Sequence, residues 1–143
     1  MNIRGFSLTE VLVTLSIITV LLGATAPFTL NFYRRYQSIN ERNLLISLFR
    51  RARTLSITRN GASDHGVHIA STQYTIFEGA TFANRDQAKD QTFLRDTALT
   101  ITGPADLIFK REIGYTSSVS FILDNGTKQE KISVNYAGRV DWK

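Results

Sequence analysis

The chain contains no cysteine. That excludes a disulfide framework and any cysteine-based metal site, so an exported protein of this composition must be held by packing and hydrogen bonds alone. Histidine is limited to His65 and His68. On a strand, positions three apart point to opposite faces, so these two are not expected to share a metal. There is no Gly-x-Ser-x-Gly elbow, no glycine-rich phosphate loop, and no close carboxylate pair beside a histidine. Nothing in the sequence therefore points to an enzyme, a metal or any other cofactor. Asp124-Asn125-Gly126 lacks the ligand spacing of an EF-hand and reads as a turn. Internal repeats and low-complexity runs are also missing. Acidic residues are outnumbered, 12 against 17 lysines and arginines, giving a formal charge of +5. That modest excess says little about partners until its distribution is known.

Charge is most conspicuously absent at the N-terminus. From Phe6 to Phe28 the only charged residue is Glu10, and a bilayer-spanning helix needs about 20 mostly apolar residues. Arg4 precedes the run and no further cation follows until Arg34 and Arg35. By that single charge the positive-inside rule favours a cytoplasmic N-terminus. A carboxylate at membrane depth is costly unless it has a partner or reaches the interface, and Glu10 stands near enough to one end for either. An ordinary secretory signal has a shorter apolar region, followed by a small-residue cleavage site. Gly23-Ala24-Thr25-Ala26 offers such a site, so cleavage near Ala26 is the alternative reading.

Further on, residues 31–59 lack glycine and proline. Leu45, Leu48, Phe49, Ala52 and Leu55 recur at three- and four-residue spacing and form one apolar helical face. Pro27 is expected to bend this helix rather than end it, and Asn60-Gly61 to cap it. One long helix over residues 7–59 is the result. After Gly61 the period becomes two. Strands are expected over residues 65–69, 73–78, 99–102, 106–110, 118–123, 130–136 and 139–142, with hairpin turns at Ser71-Thr72 and Asp124-Asn125-Gly126. Residues 81–96 read as a polar surface excursion tethered by Phe82 and Phe93. The fold class is α+β: one long N-terminal helix, its first half in the membrane, packed on a β-rich head of six to eight short strands. The segments are a leader at 1–5, a transmembrane and assembly helix at 6–28, its amphipathic continuation at 29–60, and the head at 61–143.

Gly5-Phe6-Ser7-Leu8-Thr9-Glu10 resembles the prepilin leader of type IV pilins and type II secretion pseudopilins. The resemblance implies that a prepilin peptidase cuts between Gly5 and Phe6 and that Phe6 becomes an N-methylated N-terminus. It also implies that Glu10 pairs with the terminal amine of a neighbouring subunit in a helical filament. Among pilin-like proteins the GspH/FimT family is the nearest in pattern. The resemblance rests on Ala52 to Gly61, Gly66-Val67-His68-Ile69, Tyr74-Thr75-Ile76-Phe77 and Asn135-Tyr136-Ala137-Gly138-Arg139-Val140. It covers nearly the whole chain, and implies a pilin-like fold without the C-terminal disulfide loop of many pilins. The implied partners are the peptidase, other pilin or pseudopilin subunits, an inner-membrane assembly platform and membrane lipid. The implied location is the inner membrane, single-pass, with the head on the periplasmic side.

The positive charge has a pattern of its own. Arg34, Arg35, Arg42, Arg50, Arg51, Arg53 and Arg59 lie along the helix, with Glu41 the one acid among them. At about 100° per residue Arg35, Arg42 and Arg53 project in nearly the same direction, beside the apolar face. Arg139, Lys143 and Trp142 make a second basic and aromatic group at the C-terminus, interrupted by Asp141. A solvated helix flank, or pairing with acids of neighbouring subunits, accounts for the helical arginines. The competing reading is a track for phosphates, either DNA or lipid headgroups. Some FimT-like pilins are thought to bind DNA through basic C-terminal residues, and Arg139 matches that element. The two functions in view are a minor pilin or pseudopilin subunit and a DNA-binding minor pilin acting in natural transformation.

Overall fold

The computed structural model describes residues 6–58 and 63–143, without the side chains of residues 24–31. Helix α1 spans Leu8–Ile57 and is followed by eight strands: β1 His65–Ile69, β2 Gln73–Glu78, β3 Gln91–Leu94, β4 Thr100–Thr102, β5 Asp106–Phe109, β6 Val119–Asp124, β7 Gln129–Val134 and β8 Val140–Trp142. The expected cap at Asn60-Gly61 lies outside the described residues. The chain divides into two compact units, residues 1–34 and 35–143.

In the first unit α1 starts just after Ser7, whose carbonyl accepts from the Glu10 and Val11 N–H groups at 3.0 and 3.2 Å. Polar residues inside the apolar run are satisfied by the helix itself. The Thr14, Ser16 and Thr19 hydroxyls donate to carbonyls four residues back at 2.9, 2.7 and 2.8 Å. Among the described residues no helix is long and apolar enough to cross a membrane. Leu8 to Gly23, the apolar part of α1 with described side chains, covers about 24 Å at about 1.5 Å per residue, and the helix runs on to Ile57. The run expected to span continues to Phe28, through side chains outside the description.

The second unit is an α+β head in which the C-terminal part of α1 packs on two four-stranded antiparallel sheets. Their strand orders are β3-β2-β1-β5 and β4-β6-β7-β8. Leu45, Leu48, Phe49 and Ala52 of α1 are buried, as their spacing predicts, and Leu55 packs against them. They meet Val67, Tyr74, Ile76, Leu107 and Phe109 from the first sheet and Phe121, Leu123, Ile132, Val134 and Val140 from the second. Phe49 and Phe121 pack as a tilted ring pair with centroids 5.0 Å apart. The β6–β7 turn is fixed by Asn125, whose Oδ1 accepts from the Thr127 and Lys128 N–H groups at 2.9 and 2.8 Å. Its Nδ2 donates to Ser38 Oγ on α1 at 2.8 Å, tying turn to helix.

The excursion expected over residues 81–96 needs correction. It holds a 3-10 turn at Gln87–Lys89 and strand β3, which pairs with β2 in the register Tyr74↔Phe93. The tethers are as expected. Phe93 packs against the core, and the Phe82 ring stacks on His68 at 3.7 Å between centroids.

Candidate functional site

Two regions concentrate the residues singled out above. At the N-terminus Gly5 lies outside the described residues. Phe6 is 85% exposed just ahead of α1, and Glu10 is exposed in the first turn, where a negative charge meets the positive end of the helix dipole. Around and behind it Leu8, Leu12, Leu15, Ile18 and Leu22 are all exposed. They form an uncovered apolar surface that carries one carboxylate near its start.

The second region is a basic cleft between α1 and the C-terminal strand. The chain turns back at Asn135, whose carbonyl accepts from Gly138 N–H at 2.9 Å and whose Oδ1 accepts from Arg139 N–H at 2.9 Å. Gly138 has φ +73°, and a Cβ there would lie 2.3 Å from Gly114 O and 2.7 Å from Arg53 Nε. Only glycine fits. The turn sends β8 along β7 with Trp142 opposite Ile132, which sets the indole on the side of the sheet that faces α1. There it meets two arginines about two helical turns apart. The Arg42 and Arg50 guanidinium carbons lie 6.0 and 5.7 Å from the Trp142 ring centroid, at the outer reach of a cation–π contact. Arg53 Nη2 donates to Ala137 O at 3.1 Å. Arg50, Arg53, Thr54 and residues 137–142 line a cavity of about 770 Å³.

Not all of this charge is free. Arg42 Nη1 bonds Glu130 Oε2 at 2.9 Å, and that carboxylate is nearly fully buried. Arg139 Nε bonds Asp141 Oδ1 at 3.1 Å while remaining largely exposed. Glu41, the acid within the helical arginines, is withdrawn from them. It is buried and accepts from Tyr74 Oη at 2.5 Å and from Asp96 N–H at 3.2 Å. Arg50 and Arg53 therefore face the cleft with no carboxylate paired to them among the described residues, and Arg53 Nε is buried without a partner.

Of the candidates, Arg42, Arg53, Arg139 and Trp142 are brought together. Arg35 and Lys143 do not line the cleft. Lys143 is held at the end of β8 by reciprocal backbone bonds with Lys131 at 3.0 and 2.9 Å. Arg50 is an addition. It belongs to the helical series, but its place beneath Trp142 depends on the β8 register, which no local pattern encodes. His65 and His68 lie apart as expected. His68 Nδ1 is 2.6 Å from Asp106 Oδ1, His65 Nε2 is 3.9 Å from Glu78, and the described residues contain no cluster suited to a metal.

No curated protein and no solved structure matches the chain. A family model described as the prokaryotic N-terminal methylation motif matches residues 1–26. That motif implies processing by a prepilin peptidase and assembly with other pilins, and with the α+β architecture it supports a type IV pilin-like or pseudopilin subunit.

Proposed function

We propose that the protein is a minor pilin or pseudopilin of the GspH/FimT kind, a structural subunit rather than an enzyme. The observation that carries this reading is the methylation motif over residues 1–26, with an apolar run from Phe6 to Phe28 whose one charge is Glu10. Prepilin peptidase cuts between Gly5 and Phe6, and the new Phe6 terminus is methylated. The apolar run to Phe28 holds the subunit in the inner membrane until the assembly platform extracts it, with the head on the periplasmic side. In the filament other helices cover the apolar surface that lipid covered before, and Glu10 pairs with a neighbour's terminal amine. The test is intact-mass and N-terminal analysis of the chain co-expressed with a prepilin peptidase. Loss of residues 1–5 and a methylated Phe6 are expected, and Glu10→Ala should be processed yet excluded from filaments. A product that keeps Met1, or one cut near Ala26, would overturn the reading.

A second reading, DNA binding in uptake, is favoured by the cleft, where Arg50 and Arg53 have no acidic partner among the described residues and lie beside an exposed indole. Phosphate contacts release counterions, so such binding weakens steeply with salt. The full chain in detergent micelles, titrated with labelled DNA at several salt concentrations, should bind. Arg50→Ala with Arg139→Ala should lose affinity and flatten the salt dependence. Absence of binding at low salt leaves the subunit role alone.

A further inference from the structure

The hairpin between β6 and β7 turns at Asn125-Gly126. An asparagine amide followed by glycine is open to attack by the next backbone nitrogen, because glycine has no side chain to shield that atom. Gly126 is exposed at φ +79°, and a Cβ added to it would meet nothing within 4 Å. Water therefore reaches the pair as well.

Every atom that such an attack uses has a partner suited to it. The nucleophile comes first: Gly126 N–H donates to Asp124 Oδ1 at 2.7 Å, within the reach of a base for the proton it takes. Hydrogen bonds from Gln129 and Gly126 hold the Asp124 carboxyl below its ordinary value, so it is an anion at neutral pH. The electrophile is Cγ of Asn125. Its Oδ1 accepts from Thr127 N–H at 2.9 Å, Thr127 Oγ1 at 2.8 Å and Lys128 N–H at 2.8 Å. These donors polarise the carbonyl and stabilise negative charge as it builds on Oδ1, which is how an oxyanion hole acts. The leaving group is Nδ2, which donates at 2.8 Å to Ser38 Oγ on α1, in a residue only 2% exposed. The side chain is thus held from both ends beside a nucleophile on the adjacent residue, and fixed orientation counts most in an intramolecular step.

We propose that Asn125 is a self-modification site, where the folded turn promotes conversion through a cyclic imide to aspartate and isoaspartate. Asp124 takes the proton of the Gly126 nitrogen, and that nitrogen bonds to Asn125 Cγ. The Cγ–Nδ2 bond then breaks and ammonia leaves. Its third hydrogen comes from solvent, to which Asp124 returns the proton it took. Water next opens the ring by breaking one of the two bonds from imide carbonyl to Gly126 nitrogen. Opening at Cγ restores the ordinary backbone with an aspartate side chain. Opening at the main-chain carbonyl leaves the chain running through Cβ and Cγ, which is isoaspartate. Both products lose the Nδ2 donor to Ser38, and isoaspartate also lengthens the turn by one backbone carbon. Its formation therefore unties the β6–β7 turn from α1.

The test follows the full chain in detergent micelles at neutral pH beside a capped peptide of residues 121–130, which has the same local sequence without the helix. Peptide mapping by mass reads the exchange of NH2 for OH at residue 125, and an isoaspartate methyltransferase labels the isoaspartate fraction. Residue 125 should convert several-fold faster in the folded chain than in the peptide. Thr127→Val keeps both backbone donors and removes the hydroxyl, and Asp124→Asn removes the base. Each should slow the folded chain toward the peptide rate while the same change in the peptide has little effect. Near-ultraviolet circular dichroism shows whether the head is retained, and if Asp124→Asn misfolds, Thr127→Val at its exposed position decides. Conversion no faster in the folded chain than in the peptide would overturn the proposal and make the turn a shield for Asn125. Aspartate without isoaspartate would replace ring closure by direct hydrolysis and overturn the imide route. The isolated isoaspartate form should unfold at a lower urea midpoint, and an unchanged midpoint would refute the untying.

Discussion

Tyr74 is the side chain on which burial has its clearest chemical consequence. Its ring is fully buried and its hydroxyl donates to Glu41 Oε1. Burial first, then the hydrogen bond to Glu41 and the charge of that carboxylate, push the phenol far above its ordinary value near 10. A folded-state pKa above the unfolded one contributes stability that is whole below about pH 10. It is lost as pH rises toward the folded value. One tyrosine of five is therefore expected to ionise only as the head unfolds in alkali. Ultraviolet absorbance followed beside near-ultraviolet circular dichroism checks this, and Tyr74→Phe should remove that step. Among the described residues the same variant leaves Glu41 in the core with only the Asp96 N–H, so urea unfolding should show a loss of about 1–3 kcal/mol. A phenol that titrates fully before unfolding would contradict the assignment.

At the scale of elements, the turn from Asn135 to Arg139 controls the basic cleft because it aims β8. Gly138→Ala forces φ +73° on an L side chain and drives its Cβ into Gly114 O and Arg53 Nε. Substitutions where the native conformation is incompatible cost more than about 1 kcal/mol. The expected outcome is a lower urea midpoint with reduced quenching of Trp142 by its arginine neighbours. A wild-type midpoint would show that the turn relaxes without cost. How much of this was legible differs by element. The apolar face of α1 was readable because Leu45, Leu48, Phe49 and Ala52 repeat at helical spacing, and the β6–β7 turn because Asn125-Gly126 carries its own hydrogen-bonding chemistry. Strand β3 was not. Gln91-Thr92-Phe93-Leu94 turns one apolar residue, Phe93, toward the core while Leu94 is 86% exposed, so its strand state comes from pairing with β2. Arg42, Arg53, Arg139 and Trp142 could be named from charge and composition. Their meeting with Arg50 depends on Trp142↔Ile132 pairing and on a sheet packed across α1, neither of which any window of sequence contains.

For the whole molecule, apolar surface is distributed very unevenly. Every buried hydrophobic residue among those described lies at Leu45 or beyond, while Phe6, Leu8, Val20 and Leu22 are each at least 66% exposed. Residues 35–143 thus contain a complete core, whereas residues 6–23 present an apolar surface larger than a monomeric soluble protein ordinarily exposes. The fragment 35–143 is expected to remain monomeric in detergent-free buffer and to unfold in one cooperative transition, with a urea m-value of about 1–3 kcal/mol/M. The intact chain should self-associate in the same buffer and become monodisperse only in detergent micelles, the burial of the N-terminal surface being non-specific until a lipid or a neighbouring helix supplies it. Sedimentation velocity on both, with and without detergent, decides the matter. An intact chain that sediments as a monomer without detergent would mean that the apolar run is covered within the molecule, and would remove the physical need for the membrane and filament environments proposed for it.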